Sequence, residues 1–365
     1  MTDAVAGGDS RDGMKAEYRH YTGRKVLFIA VCLFLAVLAL GLSIYVGGSD
    51  LSLGRIYQLL WDHLCGATYE RGTADFLDDY IVWNQRLPRA VFALIAGAGL
   101  AVGGAVMQSV MKNPLADPYT TGISSGAVCG MAIAVILGLT VTGSGLGDLG
   151  GILNAFLFAL IPMIFILIVA PRVGSSPATL ILAGVALSYV FSGLTTLLMM
   201  STDSETLAAV YQWQVGSLTA VNWGSVPIMA LCNLVGIAAA VFLAEKLNIL
   251  ALGDKSATSL GLNADNMRTV CLLIISLMAA SVVSYVGVIG FVGLISPHIV
   301  RMLIDADNRF VVPASAVFGA VFFLGADILA RWLSPIDAIP VGVVLAFIGG
   351  PIFLYLIIRQ KREVW

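Results

Sequence analysis

The chain has 365 residues, of which 59% are hydrophobic and 12% are charged, and its formal net charge is −2. Ordinary soluble domains carry about twice that charged fraction, so the composition excludes a water-soluble globule. The apolar content also excludes intrinsic disorder, and the lack of net positive charge argues against a nucleic-acid partner. The composition predicts an all-α integral membrane protein whose main solvent is the lipid bilayer.

Nine stretches of the chain contain no Asp, Glu, Lys or Arg. They cover residues 26–49, 90–111, 118–147, 149–171, 173–202, 206–244, 269–300, 310–326 and 338–358. A helix needs about 20 apolar residues to cross the hydrocarbon layer of a bilayer. The stretches therefore predict at least nine membrane-spanning helices.

The two ends of the chain indicate a tenth crossing. Residues 1–25 and the last residues of the chain are both rich in Lys and Arg, which is typical of the cytoplasmic side. Two cytoplasmic termini require an even number of crossings. The extra one fits best in 269–300, as a full helix over about 268–287 and a short half-helix over about 295–304. The run 206–244 then holds one span and an outer segment.

This arrangement gives a cytoplasmic tail, residues 1–25, and a single ten-helix domain, residues 26–365. It places fifteen of the twenty basic residues on the cytoplasmic side, in agreement with the positive-inside rule. The five outward exceptions are Arg55, Arg71, Arg86, Arg89 and Arg331. We expect Arg55 and Arg71 in a solvated loop.

The energy source is expected to lie outside this chain. An ion-driven carrier keeps acidic groups near the membrane midplane, and Asp327, four residues before Arg331, is the nearest case here. The sequence Gly-Asp-Lys-Ser at 253–256 lacks the glycine that precedes the lysine of a phosphate-binding loop. Three separate histidines and five scattered cysteines show no metal-ligand spacing, so we predict no metal or other cofactor in this chain.

The polar cytoplasmic loop at about 245–267 is the most structured connection in the sequence. Two short, mildly amphipathic helical pieces can be drawn in it, on either side of Gly253. The loop is too short to be a domain. It is either a docking surface for a cytoplasmic partner or a plain re-entrant connector, and the pattern alone leaves both open.

Several motifs, taken in order, resemble the permease subunits of ABC importers for iron–siderophores, haem and cobalamin. They are Arg-Leu-Pro-Arg at 86–89, Gly-Ala-Gly-Leu-Ala at 97–101, Asn-Pro-Leu-Ala-Asp-Pro at 113–118, Leu-Ala-Gly-Val-Ala at 182–186, Ala-Leu-Gly-Asp at 251–254 and Gly-Phe-Val-Gly-Leu-Ile-Ser-Pro-His at 290–298. The resemblance covers nearly the whole chain from about residue 26, and it does not specify the substrate.

The resemblance implies ten helices in two inverted repeats of five, with short cytoplasmic coupling helices. It also implies a second permease copy, two cytoplasmic ATPases that bind ATP and Mg, and an extracytoplasmic substrate-binding protein. The chain itself would translocate its substrate without bond chemistry, in a prokaryotic cytoplasmic membrane. A ferric siderophore is the first expectation for the substrate, then haem, then cobalamin. A secondary carrier working alone is the alternative.

The resemblance assigns roles to three groups of residues. Arg86, Arg89 and Arg331 match arginines that dock acidic residues of the binding protein. The positions that match the coupling helices are Leu252, Gly253, Asp254, Ala257, Leu260 and Gly261. The alternative for the arginines is that Arg331 only pairs with Asp327 and that the other two extend towards the membrane surface.

Four further residues match the inner gate region of the family. Asn113 and Leu115 follow the second span, while Pro177 and Ala178 begin the fifth. Family members can have polar residues at the start of the fifth span, so Pro177 and Ala178 depart from the pattern and leave the chemistry of that gate element open.

Overall fold

The structure is a computed structural model that describes residues 6–49, 51–143, 148–173, 176–334 and 339–360. Every regular element in this part of the chain is a helix. The helices are α1 (Ala6–Tyr45), α2 (Leu53–Leu64), α3 (Ala74–Tyr80), α4 (Leu87–Met111), α5 (Ile123–Leu137), α6 (Asp148–Val173), α7 (Pro177–Met200), α8 (Ser204–Val215), α9 (Val226–Phe242), α10 (Ala244–Ala251), α11 (Asp254–Ser259), α12 (Ala264–Val286), α13 (Val292–Ile304), α14 (Asn308–Leu333) and α15 (Val341–Gln360). A π-helical segment, Ile81–Arg86, joins α3 to α4, and a 3₁₀ turn, Pro118–Thr121, precedes α5.

The apolar helices confirm a multi-span integral membrane protein. Within the described residues six are long and apolar enough to cross a bilayer: Tyr21–Tyr45, Ala74–Met111, Leu149–Val169, Pro177–Met200, Ala264–Val286 and Asn308–Leu333. The pair α9 and α10, bent by 59°, makes a seventh, and three shorter apolar helices are Ile123–Leu137, Val292–Ile304 and Val341–Leu356. The total of ten crossings and the inverted repeat stay predictions, because Ile123–Leu137 and Val292–Ile304 are too short to span by length alone.

The break predicted inside 269–300 is confirmed. The full helix α12 ends at Val286 and the short helix α13 begins at Val292. Gly287 ends α12 with a positive φ of 74°, and a Cβ there would overlap the carbonyl oxygen of Trp213. Glycine is required at this position for both reasons. The run 206–244 likewise divides as expected, into α8 and the apolar helix α9.

Helix α4 is the centre of the bundle, and glycines set its distance from two neighbours. It is buried along most of its length and packs against α9, α12, α13 and α14. Cβ atoms on Gly97 and Gly319 would each press on the carbonyl oxygen of the other, which brings α4 and α14 together. A Cβ on Gly104 would overlap the carbonyl of Gly293 in α13. Such small residues let membrane helices approach until their backbones touch.

The two ends of the bundle differ in their charged residues. Arg89 at the start of α4 meets Asp327 near the end of α14, and this defines the arginine end. Lys112, which follows α4, meets Asp254 of α11 at the opposite end, the α11 end. Helix α1 ends at the arginine end, since the carbonyl of Ile44 accepts a hydrogen bond from Arg86.

We expect Gly319→Ala to lower the stability of the bundle by about 1–3 kcal/mol, because overpacking would push α14 away from α4. The change is measured as the thermal unfolding midpoint of the purified protein in lipid nanodiscs. Gly325→Ala is the matched control on the same helix, since no atom lies within 4 Å of the added Cβ. A loss of stability in the control as large as that in Gly319→Ala would contradict the close-packing explanation.

Candidate functional site

The three arginines predicted to dock a partner lie together at the arginine end. Arg86, Arg89 and Arg331 line one open pocket of about 580 Å³. Arg86 ends the π-helical segment, Arg89 lies in the first turn of α4, and Arg331 lies in the last turn of α14. The structure thus brings together residues that are about 240 positions apart in the chain.

Asp327 forms the floor of this cluster, and its side chain is fully buried. Its carboxylate accepts hydrogen bonds from Nε and Nη2 of Arg89 at 3.0 and 2.8 Å. It also accepts one from Nε of Arg331 at 3.1 Å. Arg331 therefore does pair with Asp327, as the alternative predicts, and Arg89 binds the same carboxylate.

Two of the arginines also cap the C-terminal end of α1. Arg86 donates to the carbonyl oxygen of Ile44 at 2.9 Å, and Arg331 donates to that of Ser43 at 2.7 Å. The last carbonyls of a helix have no partner within it, and α1 has no basic residue of its own in its last turn. Arg86 and Arg331 therefore have a structural role in addition to any docking role.

The pocket carries an excess of positive charge. Three guanidinium groups line it, and no acidic residue is among the described residues at its surface. Asp327 below them supplies one negative charge. A planar guanidinium binds carboxylates in a bidentate manner, and Arg89, with a side chain 12% exposed, keeps donors that Asp327 does not use. The pocket is suited to an anionic group presented by a partner.

The predicted pair of helical pieces at 245–267 is present as α10 and α11, which are joined by a short turn, and the two helices with their turn are called the elbow. Gly253 forms the turn with φ of 113°, and Gly261 ends the segment with φ of 81°. Both backbone conformations are strained for any residue with a Cβ. The glycines predicted from the family motif are therefore required by the shape of the elbow.

The elbow exposes apolar side chains at the α11 end. Leu252 and Leu260 are 67% and 61% exposed. Ala257, between them in sequence, is fully buried and accepts a hydrogen bond from the amide of Leu262 at 2.9 Å. Two exposed leucines on a fixed turn offer an apolar contact to a partner that covers this end of the bundle.

Asp254 connects the elbow to two membrane helices. Its carboxylate accepts hydrogen bonds from Arg268 of α12 and from Lys112 after α4, the latter at 2.7 Å. These two bonds, with that from Arg268 the stronger, lower the pKa of Asp254 below its ordinary value. One side chain therefore joins α11 to both α4 and α12.

The predicted gate residues lie on two turns near the α11 end. The side chain of Asn113 accepts a hydrogen bond from the amide of Leu115 at 2.9 Å, which closes the turn after α4 and leaves Leu115 exposed. Pro177 and Ala178 begin α7, where the Ser176 hydroxyl accepts a hydrogen bond from the amide of Thr179. Among the described residues no hydrogen bond joins the two pairs, and their gate role stays a prediction.

Sequence reasoning missed the structural partners of the site. Arg55 is predicted to lie in a solvated loop, but in the structure it lies on α2 and pairs with Asp75. Lys112, the residue after α4, binds Asp254. Arg301 joins α13 to α4 by a hydrogen bond to the Ser109 hydroxyl at 3.0 Å. Only the spacing in three dimensions reveals these pairs.

The apolar helices and the two polar ends define a multi-span membrane protein. Residues 33–359 match the FecCD transport family, so the chain belongs to that family. It is 34% identical to the Fe(3+)-citrate import system permease protein of Bacillus subtilis, over 95% of this chain and 98% of the relative. It is 33% identical to the hemin transport system permease protein of Yersinia pestis, over 91% of this chain and 95% of the relative.

A solved structure supports the same assignment. The chain resembles a metal-chelate type ABC transporter in an inward-facing conformation with a TM-score of 0.77 and 29% sequence identity. The match covers 91% of this chain and 98% of the other. The family resemblance predicted from the sequence motifs is confirmed.

We expect Asp254→Asn to weaken the connection between the elbow and the membrane helices. The loss is about 1–2 kcal/mol, because the partly exposed pairs are screened by water, and it is measured by thermal unfolding in nanodiscs. Because the pKa of Asp254 is lowered, the wild-type contribution is complete above its ordinary pKa and is lost only as the pH falls through the lowered pKa. The difference between variant and wild type should therefore be constant between about pH 5 and 8.

Asp265→Asn is the control, because Asp265 reaches Arg268 only at 3.5 Å and is more exposed than Asp254. Equal losses in the two variants would show that Asp254 has no special place in the connection.

Proposed function

We propose that this chain is the translocation subunit of an ATP-driven importer that carries a metal chelate into the cytoplasm by alternating access. The observation that supports this most strongly is the pairing of an anion-binding pocket at one end with an exposed apolar elbow at the other, both fixed to α4. One end suits a protein that delivers the substrate, and the other suits a protein that supplies energy. ATP and Mg belong to the partner ATPases.

A ferric siderophore is the substrate we favour. A permease for iron(3+)-hydroxamate from Bacillus subtilis is 35% identical over 94% of this chain, and the Fe(3+)-citrate permease matches a similar share. A cobalamin permease from Halobacterium salinarum is 38% identical, but over 78% of this chain. Haem and cobalamin are therefore the second and third candidates, and transport assays with each chelate in reconstituted vesicles decide among them.

The elbow is proposed as the coupling helices. Leu252 and Leu260 would insert into a groove of an ATPase, and Asp254 would pass the movement of the ATPase to α4 and α12. Two permease copies, two ATPases and one extracytoplasmic binding protein would form the complete importer. Both termini of the chain would face the cytoplasm of a prokaryotic cell, as the basic ends suggest.

Purification of the tagged chain from its native membrane in mild detergent should recover an ATPase subunit in about equal amount. Leu252→Ser should lower that recovery, because it removes an exposed apolar contact without disturbing a buried side chain. Leu139→Ser is the control, since Leu139 is 62% exposed on the chain that follows α5. Mass spectrometry of the recovered proteins gives the ratio.

Recovery of the chain alone, with uptake into vesicles that contain no ATP, would overturn the importer proposal and favour a secondary carrier.

The arginine pocket is proposed as the docking site for acidic side chains of the binding protein. The structure changes how this should be tested. Arg86 and Arg331 cap α1, so replacing them would disturb the fold as well as the docking. Arg89 makes its hydrogen bonds to Asp327 and to no carbonyl of α1, and it is the arginine to replace.

Arg89→Gln should weaken binding of the binding protein about tenfold and reduce the salt dependence of the remaining affinity, because one charge contact is lost. Binding is measured with the permease in nanodiscs at several salt concentrations. Arg71→Gln serves as the control, since Arg71 is exposed in the same outer region but does not line the pocket. Unchanged affinity and salt slope in Arg89→Gln would exclude the pocket as the docking site.

A further inference from the structure

Helix α2 is strongly amphipathic, and its apolar arc is wider than the rest of the fold covers. The helix begins after Ser52, whose side chain accepts a hydrogen bond from the amide of Arg55, and it ends at Leu64. At 3.6 residues per turn its apolar residues occupy more than about half of the circumference. Only one part of that arc is buried.

The buried part fixes the helix against the arginine end of the bundle. Ile56 and Leu59 are buried in a small core with Ile44 of α1 and Val82 of the π-helical segment. The same side of the helix also contacts the following segment. There His63 stacks on a tryptophan ring with centroids 4.0 Å apart, and its Nδ1 lies 3.1 Å from a carboxylate oxygen of an aspartate. Helix α2 therefore cannot roll to bury its remaining apolar side.

The uncovered part of the arc is a stripe of large side chains, the α2 stripe. Its members are Leu53, Tyr57, Trp61 and Leu64, which are between 53% and 70% exposed. Their spacing of four, four and three residues places them within roughly 80° of one another around the helix. A stripe of this size in contact with water would be unfavourable.

The position of Tyr57 places the stripe at membrane depth. A Cβ on Gly41 of α1 would lie 3.8 Å from the Tyr57 hydroxyl oxygen. Gly41 is about one turn, or roughly 6 Å, before the end of this membrane-spanning helix. Its neighbours Val37, Leu38 and Leu42 are exposed apolar residues on the same side of α1. The α2 stripe thus continues the lipid-facing surface of α1.

We propose that the occupant of the α2 stripe is the bilayer itself, so that α2 lies in the interface of the leaflet at the arginine end. Tyr57 and Trp61 have the chemistry for this position, because an aromatic body with a polar edge is favoured at the level of the headgroups. The polar residues on the opposite side of the helix then face water. Through its buried side, the helix fixes the depth of the arginine pocket relative to the membrane surface.

The proposal is tested with an environment-sensitive NBD fluorophore on single cysteines. The parent protein carries Cys65→Ser, because Cys65 is the exposed cysteine among the described residues, and its residual labelling is subtracted. Trp61→Cys reports on the stripe, and Gln58→Cys reports on the exposed polar side of the same helix. Both proteins are placed in phosphatidylcholine nanodiscs, with or without nitroxide-labelled phosphatidylcholine.

Lipid nitroxide should quench the label at position 61 about threefold or more strongly than the label at 58, and aqueous iodide should show the reverse order. Equal access of iodide to both positions would overturn the proposal, since the stripe would be in water. Protection of position 61 from both quenchers would also overturn it, because a protein surface would then cover the stripe. Size-exclusion profiles that match the parent establish that both labelled proteins are folded.

Discussion

The shared carboxylate of Asp327 is the interaction on which the arginine end depends. Two guanidinium groups, from α4 and α14, meet at this one buried side chain. A buried charge is tolerated only when it is paired and hydrogen-bonded. Arg89 and Arg331 both pair with Asp327, and Arg331 remains as its partner when Arg89 is replaced. Because Arg331 also holds the end of α1, three helices have their relative positions set by one acid.

A carboxylate shared by two basic residues is also present at the α11 end. Asp254 binds Arg268 of α12 and Lys112, the residue that follows α4. The other helix of the elbow, α10, is held separately, since Asn248 bonds to Asp307 at the start of α14. In both cases a single carboxylate joins two helices that are distant in sequence. Between these ends, glycine contacts along α4 set its distance from α13 and α14, since backbone touching backbone leaves no room for small adjustments.

The sequence predicted the features that depend on local chemistry. It predicted a break inside 269–300 and two helical pieces on either side of Gly253, and the positive φ angles of Gly287 and Gly253 require glycine at both places. The outward arginines stood out from a count of charges. Helix α2 was missed, since Arg55 and Asp62 interrupt it and the search used uncharged runs. The caps of α1 were also missed, because no local pattern connects Arg86 to a carbonyl 42 residues earlier.

Helix α4 extends from the arginine pocket to the elbow. Arg89 lies in its first turn, and Lys112 follows its last residue. Its 25 residues extend over about 38 Å at 1.5 Å per residue. If the arrangement of this one helix differs between two states of the protein, a ligand that stabilises one state at the pocket also shifts the elbow towards that state. The coupling free energy is then the same whichever partner binds first.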